Sequence, residues 1–146
     1  MKRQGLIAIT LILAVVGLAY LWKNASPNKD DAKLKELREI VVDLQVFPDF
    51  IEDATDETSG ATDAGIYKYY CSAATYEEIK DSYSIKLYSR GWRLLTESEL
   101  QRWFRDVGWK NLVFKNGEFA IAIDYSGSLN RKCKYSISYV WRDGSF

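Results

Sequence analysis

Leu112-Val113-Phe114-Lys115-Asn116-Gly117-Glu118-Phe119-Ala120-Ile121 carries the strongest local signal in this 146-residue chain. Asn-Gly between two alternating runs marks a tight β-hairpin, because the turn needs positive φ and glycine adopts it without strain. A two-residue turn at Asn116-Gly117 pairs Lys115 with Glu118, Phe114 with Phe119 and Leu112 with Ile121. Charges and aromatics then match across the strands. Ile123 and Tyr125 extend the buried face of the second strand.

Downstream, Ser126-Gly127-Ser128 opens a polar loop, and a last strand alternates cleanly. Tyr135, Ile137, Tyr139 and Trp141 point inward; Lys134, Ser136 and Ser138 point outward. Such alternation belongs to an antiparallel sheet with one covered face. Upstream, the Tyr-rich segment 66–72 reads as a strand, and 50–57 as a short strand or an extended acidic loop, with a turn-rich link at 58–62. Residues 75–90 read as a helix: Thr75 and Glu78 form a capping box, Tyr76, Ile79, Tyr83 and Leu87 share a face, and Gly91 stops it. Residues 92–95 read as a short strand. Thr96 and Glu99 repeat the capping pattern ahead of Leu100, Trp103, Phe104 and Val107, which predicts a further helix ending near Gly108. A helix from Asp30 carries the stripe Leu34, Leu37, Ile40, Val41 and Leu44, and Pro48 ends it.

At the N-terminus, Lys2 and Arg3 precede an uncharged apolar run, residues 6–22 (LIAITLILAVVGLAYLW), and Lys23 follows. As a helix the run extends about 25 Å, the short end of a membrane span, with Tyr20 and Trp22 suited to the headgroup belt. A cleaved signal peptide is the competing reading, with Gly17-Leu18-Ala19 as its cut site. The apolar run outlasts that site, which favours a retained signal-anchor over residues 1–23. A linker over 24–30 and one extracytoplasmic domain over 31–146 follow. The expected fold class is α+β: an N-terminal transmembrane helix, then an antiparallel β-sheet with helices packed on one face. The basic start places the N-terminus inside, so the expected setting is a bacterial inner or plasma membrane, single-pass, with the C-terminal domain outside the cytoplasm.

Cys71 and Cys133 are the two cysteines of the chain, too far apart in sequence for a CxxC site. In an exported domain a structural disulfide is the natural reading. The two meet if the strand ending at Cys71 lies antiparallel beside the one starting at Cys133.

Lys plus Arg and Asp plus Glu number 20 each, so the basic excess that general nucleic-acid affinity requires is missing. The chain has no histidine, which removes Ser-His-Asp and Cys-His catalysis and histidine metal ligation. Asp49, Glu52, Asp53, Asp56, Glu57 and Asp63 form an acidic stretch whose order does not match a calcium-binding EF-hand loop. No phosphate loop is present. No catalytic, cofactor-binding or metal-ligating residue is assigned, and no cofactor is expected.

Surplus aromatics point instead to contact. Tyr67, Tyr69 and Tyr70 occupy both faces of one strand, so at least one lies outside the main core. Ile85 and Tyr88 point away from the stripe of their helix. These five form the candidate contact surface, tyrosine being favoured where proteins meet. The run Tyr76-Glu77-Glu78-Ile79-Lys80, then Tyr83, Leu87, Gly91 and Trp92, then Phe114, Lys115, Gly117 and Ile121, resembles small exported or membrane-tethered bacterial α+β domains of unassigned function. In these a helix ending in Gly-Trp leads into an antiparallel sheet. The resemblance spans residues 50–141 and implies a bacterial envelope setting, but transfers no site residue. The expected function is a membrane-anchored protein-binding domain without catalysis, an accessory subunit or immunity-type inhibitor. A carboxylate-based hydrolase acting on envelope material and a structural subunit of a membrane complex are the alternatives.

Overall fold

The computed structural model describes residues 29–44, 47–102, 105–127 and 133–144. The apolar run 6–22 lies outside the described residues, as do Trp103 and Phe104. Two helices, α1 (Lys29–Asp43) and α2 (Tyr76–Ser89), accompany six strands. The strands are β1 (Ile51–Ser59), β2 (Asp63–Cys71), β3 (Arg93–Arg102), β4 (Arg105–Asn116), β5 (Phe119–Tyr125) and β6 (Tyr135–Arg142). They form one antiparallel sheet in the order β1-β2-β6-β5-β4-β3. The fold is α+β, as the alternation of β5 and β6 implies.

The hairpin forms where expected, with a corrected register. Asn116 pairs with Phe119 and Phe114 with Ile121, so the turn is Gly117-Glu118 rather than Asn116-Gly117. Gly117, at φ 59°, takes the first central position, where primed hairpin turns require positive φ. The pairing slides by an even step, so the apolar face survives the correction: Phe114, Ile121 and Ile123 are all buried.

Helix α2 obeys its local code at both ends. The Thr75 hydroxyl accepts from the Glu78 backbone N–H, and the Glu78 carboxylate accepts from the Thr75 backbone N–H at 2.8 Å. At the other end the chain turns through Gly91, φ 79°. The Trp92 N–H donates to the Leu87 carbonyl at 3.0 Å, and the Gly91 N–H to the Tyr88 carbonyl at 3.1 Å. This is the Schellman pattern, completed by burial of both Leu87 and Trp92. The Gly-Trp stop thus aims the chain into β3.

The helix expected after Thr96 is instead strand. β3 continues to Arg102 and pairs with an extended β4, Glu99 lying opposite Lys110 and Leu100 opposite Trp109. Strand β4 leaves a full edge of backbone donors and acceptors to satisfy, which outweighs a capping box and a short helical spacing. Glu99, read as a cap partner for Thr96, reaches Lys110 across the strands at 2.9 Å.

The core lies between one sheet face and the two helices. Ile66 and Tyr70 of β2, Leu112 and Phe114 of β4, and Tyr135, Ile137, Tyr139 and Trp141 of β6 meet Leu37 of α1, Leu44 just past its end, and Ile79, Tyr83 and Leu87 of α2. Phe50 stacks on Tyr70, ring centroids 4.6 Å apart. Two core hydroxyls find partners at the margins, Tyr135 donating to the Ala74 carbonyl at 2.8 Å and Tyr83 accepting from the Phe47 N–H at 3.3 Å, while the buried Tyr70 hydroxyl has none. Desolvation pushes the Tyr83 phenol up to about 12. Cys71 and Cys133 are joined by a disulfide at the end of β2, where Tyr70 pairs with Tyr135. Their Cα atoms lie 4.0 Å apart, inside the roughly 7 Å limit for a bridge.

Candidate functional site

The two sheet edges differ in chemistry. β1 is exposed along its whole length and displays Glu52, Asp53, Asp56 and Glu57, with a register shift between Glu52 and Ala54. Charge and irregularity of this kind discourage pairing with another chain. Two of its acids are tied inward: Glu52 to Lys68 and Glu57 to Arg38, each at 2.6 Å. Hydrogen bonds from these cations hold both carboxyls below the usual range. The Asp53 carboxylate lies within 4.8 Å of both cysteine sulfurs, but these are bonded to each other and offer no thiolate ligand.

The β3 edge presents apolar side chains instead. Tyr88, in the last turn of α2, sets its ring edge-on to Phe114 at 5.9 Å. Leu94 is the register partner of Phe114 and so shares its face of the sheet. Tyr88 and Leu94 therefore flank one buried ring. Ile85 sits three residues before Tyr88, on the same side of α2. Leu95, the extra residue of a register shift between Leu94 and Thr96, adds to the edge. The four are 71% (Ile85), 51% (Tyr88), 39% (Leu94) and 52% (Leu95) exposed. Val42 of α1, at 79%, and Ile51 of β1, at 71%, are exposed as well, but Tyr88 and Leu94 are brought together at Phe114. Below the patch, Glu97 takes Lys80 at 2.6 Å and Glu99 takes Lys110 at 2.9 Å, so these edge carboxylates are matched by cations.

The structure divides the five sequence-derived contact residues. Ile85 and Tyr88 stand together on the α2–β3 flank. Tyr67 and Tyr69 are half-buried on the opposite face of the sheet. Tyr70 is 0% exposed beneath Phe50 and belongs to the core, not to a surface. Burial raises its phenol pKa well above the ordinary value. Sequence reasoning missed Leu94 and Leu95, because a short strand at 92–95 gave no sign that it formed a sheet edge.

A groove of about 630 Å³ runs between α1, the end of α2 and the β4–β5 turn. Glu36, Glu39, Asp43 and Glu118 line it over an apolar floor that includes Ile40, Trp92 and Phe119. Converging carboxylates are what a hydrolase would require, yet three of these four are ion-paired: Glu36 and Glu118 with Lys33, Asp43 with Arg90. All four are exposed to solvent.

No protein-family profile, curated protein or solved structure matches this chain. Among the described residues, no helix is long and apolar enough to cross a membrane.

Proposed function

We propose that this is a membrane-tethered, extracytoplasmic protein-binding domain of the bacterial envelope, acting as an accessory subunit or immunity-type inhibitor. The observation that carries the reading is the α2–β3 flank, where Ile85 and Tyr88 of the helix and Leu94 and Leu95 of the edge strand stand exposed, while the opposite edge strand carries four acids. Tyr88, standing beside the buried Phe114 ring, offers contact area at low entropic cost. The tether rests on the apolar run 6–22 and its basic start. The disulfide supports an oxidising compartment.

A photo-crosslinking residue placed at position 88 of the full chain in native membranes tests it, with position 56 on the acidic edge as control. The expected result is one discrete adduct from position 88, lost on Leu94→Asp, and none from position 56. Monomer alone from both positions overturns the reading.

A further inference from the structure

On the face of the sheet opposite the helices, register aligns Tyr69, Ser136, Asp124 and Asn111 on four adjacent strands. Trp109 precedes Asn111 by two residues and Ser126 follows Asp124 by two, so both extend this row on the same face. A cavity of about 190 Å³ opens here, lined by Tyr69, Trp109, Asp124, Ser126, Lys134 and Ser136, with Cys133 and Tyr135 at its end. Asp124 is half-buried, and its Oδ1 accepts from Asn111 Nδ2 at 2.8 Å. No Lys or Arg among the described residues forms an ion pair with it, Lys134 included. The Ser126 hydroxyl is buried without a hydrogen-bond partner, although its backbone N–H is fixed to the Lys134 carbonyl at 2.8 Å.

These groups define a ligand. A carboxylate taken partly out of water with no cation beside it among the described residues is costly, and a buried hydroxyl without a partner adds to the cost. Two aromatic rings at the walls favour a cation over an anion or a neutral group. An N–H donor set is needed to serve carboxylate and hydroxyls together, which a quaternary ammonium lacks. We propose that this cavity binds a primary ammonium group: its N–H bonds donate to Asp124 Oδ2 and the hydroxyls of Ser126 and Ser136, and its alkyl stem lies between Tyr69 and Trp109. Burial raises the Asp124 pKa, and a bound cation relieves that cost. The site lies on the face opposite the α2–β3 flank and stands independently of the protein-binding reading. The ammonium has two possible sources, a free alkylamine or a lysine side chain of a partner.

NMR titration of the full chain in neutral detergent micelles tests this. The probes are n-butylammonium, Nα-acetyl-lysine N-methylamide, tetramethylammonium and n-butanol. The expected result is saturable shifts of the Asn111, Asp124 and Ser126 amides with both primary ammonium probes in the millimolar range. Whichever of the two binds more tightly identifies the source. Asp124→Asn, nearly isosteric, weakens binding about tenfold or more, the loss of one charge-assisted contact, while amide shifts elsewhere stay in place. Trp109→Phe keeps a ring and retains binding, and Lys134→Met strengthens it by removing a like charge at the rim. Equal binding of n-butanol, preference for tetramethylammonium, undiminished binding by Asp124→Asn or weaker binding by Lys134→Met overturns the proposal.

Discussion

Cys71 closes β2 and Cys133 stands two residues ahead of β6, and the bond between them ties the sheet at a point 62 residues apart in sequence. Closing a loop of that length removes denatured-state entropy worth about 4 kcal/mol on the chain-entropy account. Urea unfolding of the protein with and without reductant, or of the double Cys→Ala variant, should show a loss of that order. Because the cysteines sit beside the β2–β6 register, the loss should appear in stability while the sheet's far-ultraviolet signal in the folded baseline stays unchanged.

Gly91 permits a clean backbone test. Its φ is +79°, and a Cβ added there meets no atom within 4 Å. Gly91→Ala therefore costs left-handed strain alone, about 1–2 kcal/mol, with no steric contribution. Leu87→Ala, at the buried end of the same motif, also opens a cavity and should cost about 2–5 kcal/mol. A Gly91→Ala variant that melts with the parent protein would show that the Gly-Trp stop does not set the helix end.

These two tests rest on features legible in the chain itself. The cap at Thr75, the stop at Gly91, the inward set Tyr135, Ile137, Tyr139 and Trp141, and the cysteine pairing all follow from rules acting over a few residues or from strand adjacency. The 96–108 segment was not legible, because a capping pattern and a helical spacing are local, whereas the partner that makes Glu99 a strand residue is Lys110. Asn-Gly specifies a turn but not which central position the glycine fills, so the observed turn, Gly117-Glu118, lies one residue beyond the one the dipeptide suggests. The α2–β3 flank was half legible: Ile85 and Tyr88 depart from the helical stripe, but Leu94 joins them through a strand order that composition cannot reveal. The row from Tyr69 to Asn111 is assembled from four strands and leaves no local trace.

Acid should weaken the fold through a definable set of carboxylates. Glu97 is held low by Lys80, Glu57 by Arg38 and Glu52 by Lys68, each first through a side-chain hydrogen bond. A folded pKa below the unfolded value means stability present above the unfolded pKa of about 4.3, lost as pH falls through the folded one. Asp124 has the opposite sign: burial raises its pKa, so its contribution is full below the unfolded pKa of about 3.9 and is lost as pH rises through the folded value. Lys80→Met should therefore destabilise at neutral pH and lose its effect in acid, whereas Asp124→Asn should leave stability at neutral pH equal or higher. Urea midpoints measured for both variants across that range check the two signs together.

The contact between Tyr88 and Phe114 separates stability from binding, because one ring is exposed and the other buried. Phe114 is fully enclosed, and Phe114→Ala should cost about 3–5 kcal/mol. Tyr88→Ser removes one edge-on ring contact, worth about 0.5–1.5 kcal/mol, and Ile85→Ser, at an exposed helix position, should stay within about 0.5 kcal/mol. If the flank is the docking surface, the combined Ile85→Ser, Tyr88→Ser variant folds, accumulates normally and no longer yields the adduct captured at position 95 by a photo-crosslinking residue there. Retention of that adduct in the folded variant would move the docking surface elsewhere on the molecule. The groove between α1 and the β4–β5 turn would then be the next surface to probe, by placing the crosslinker at Glu39.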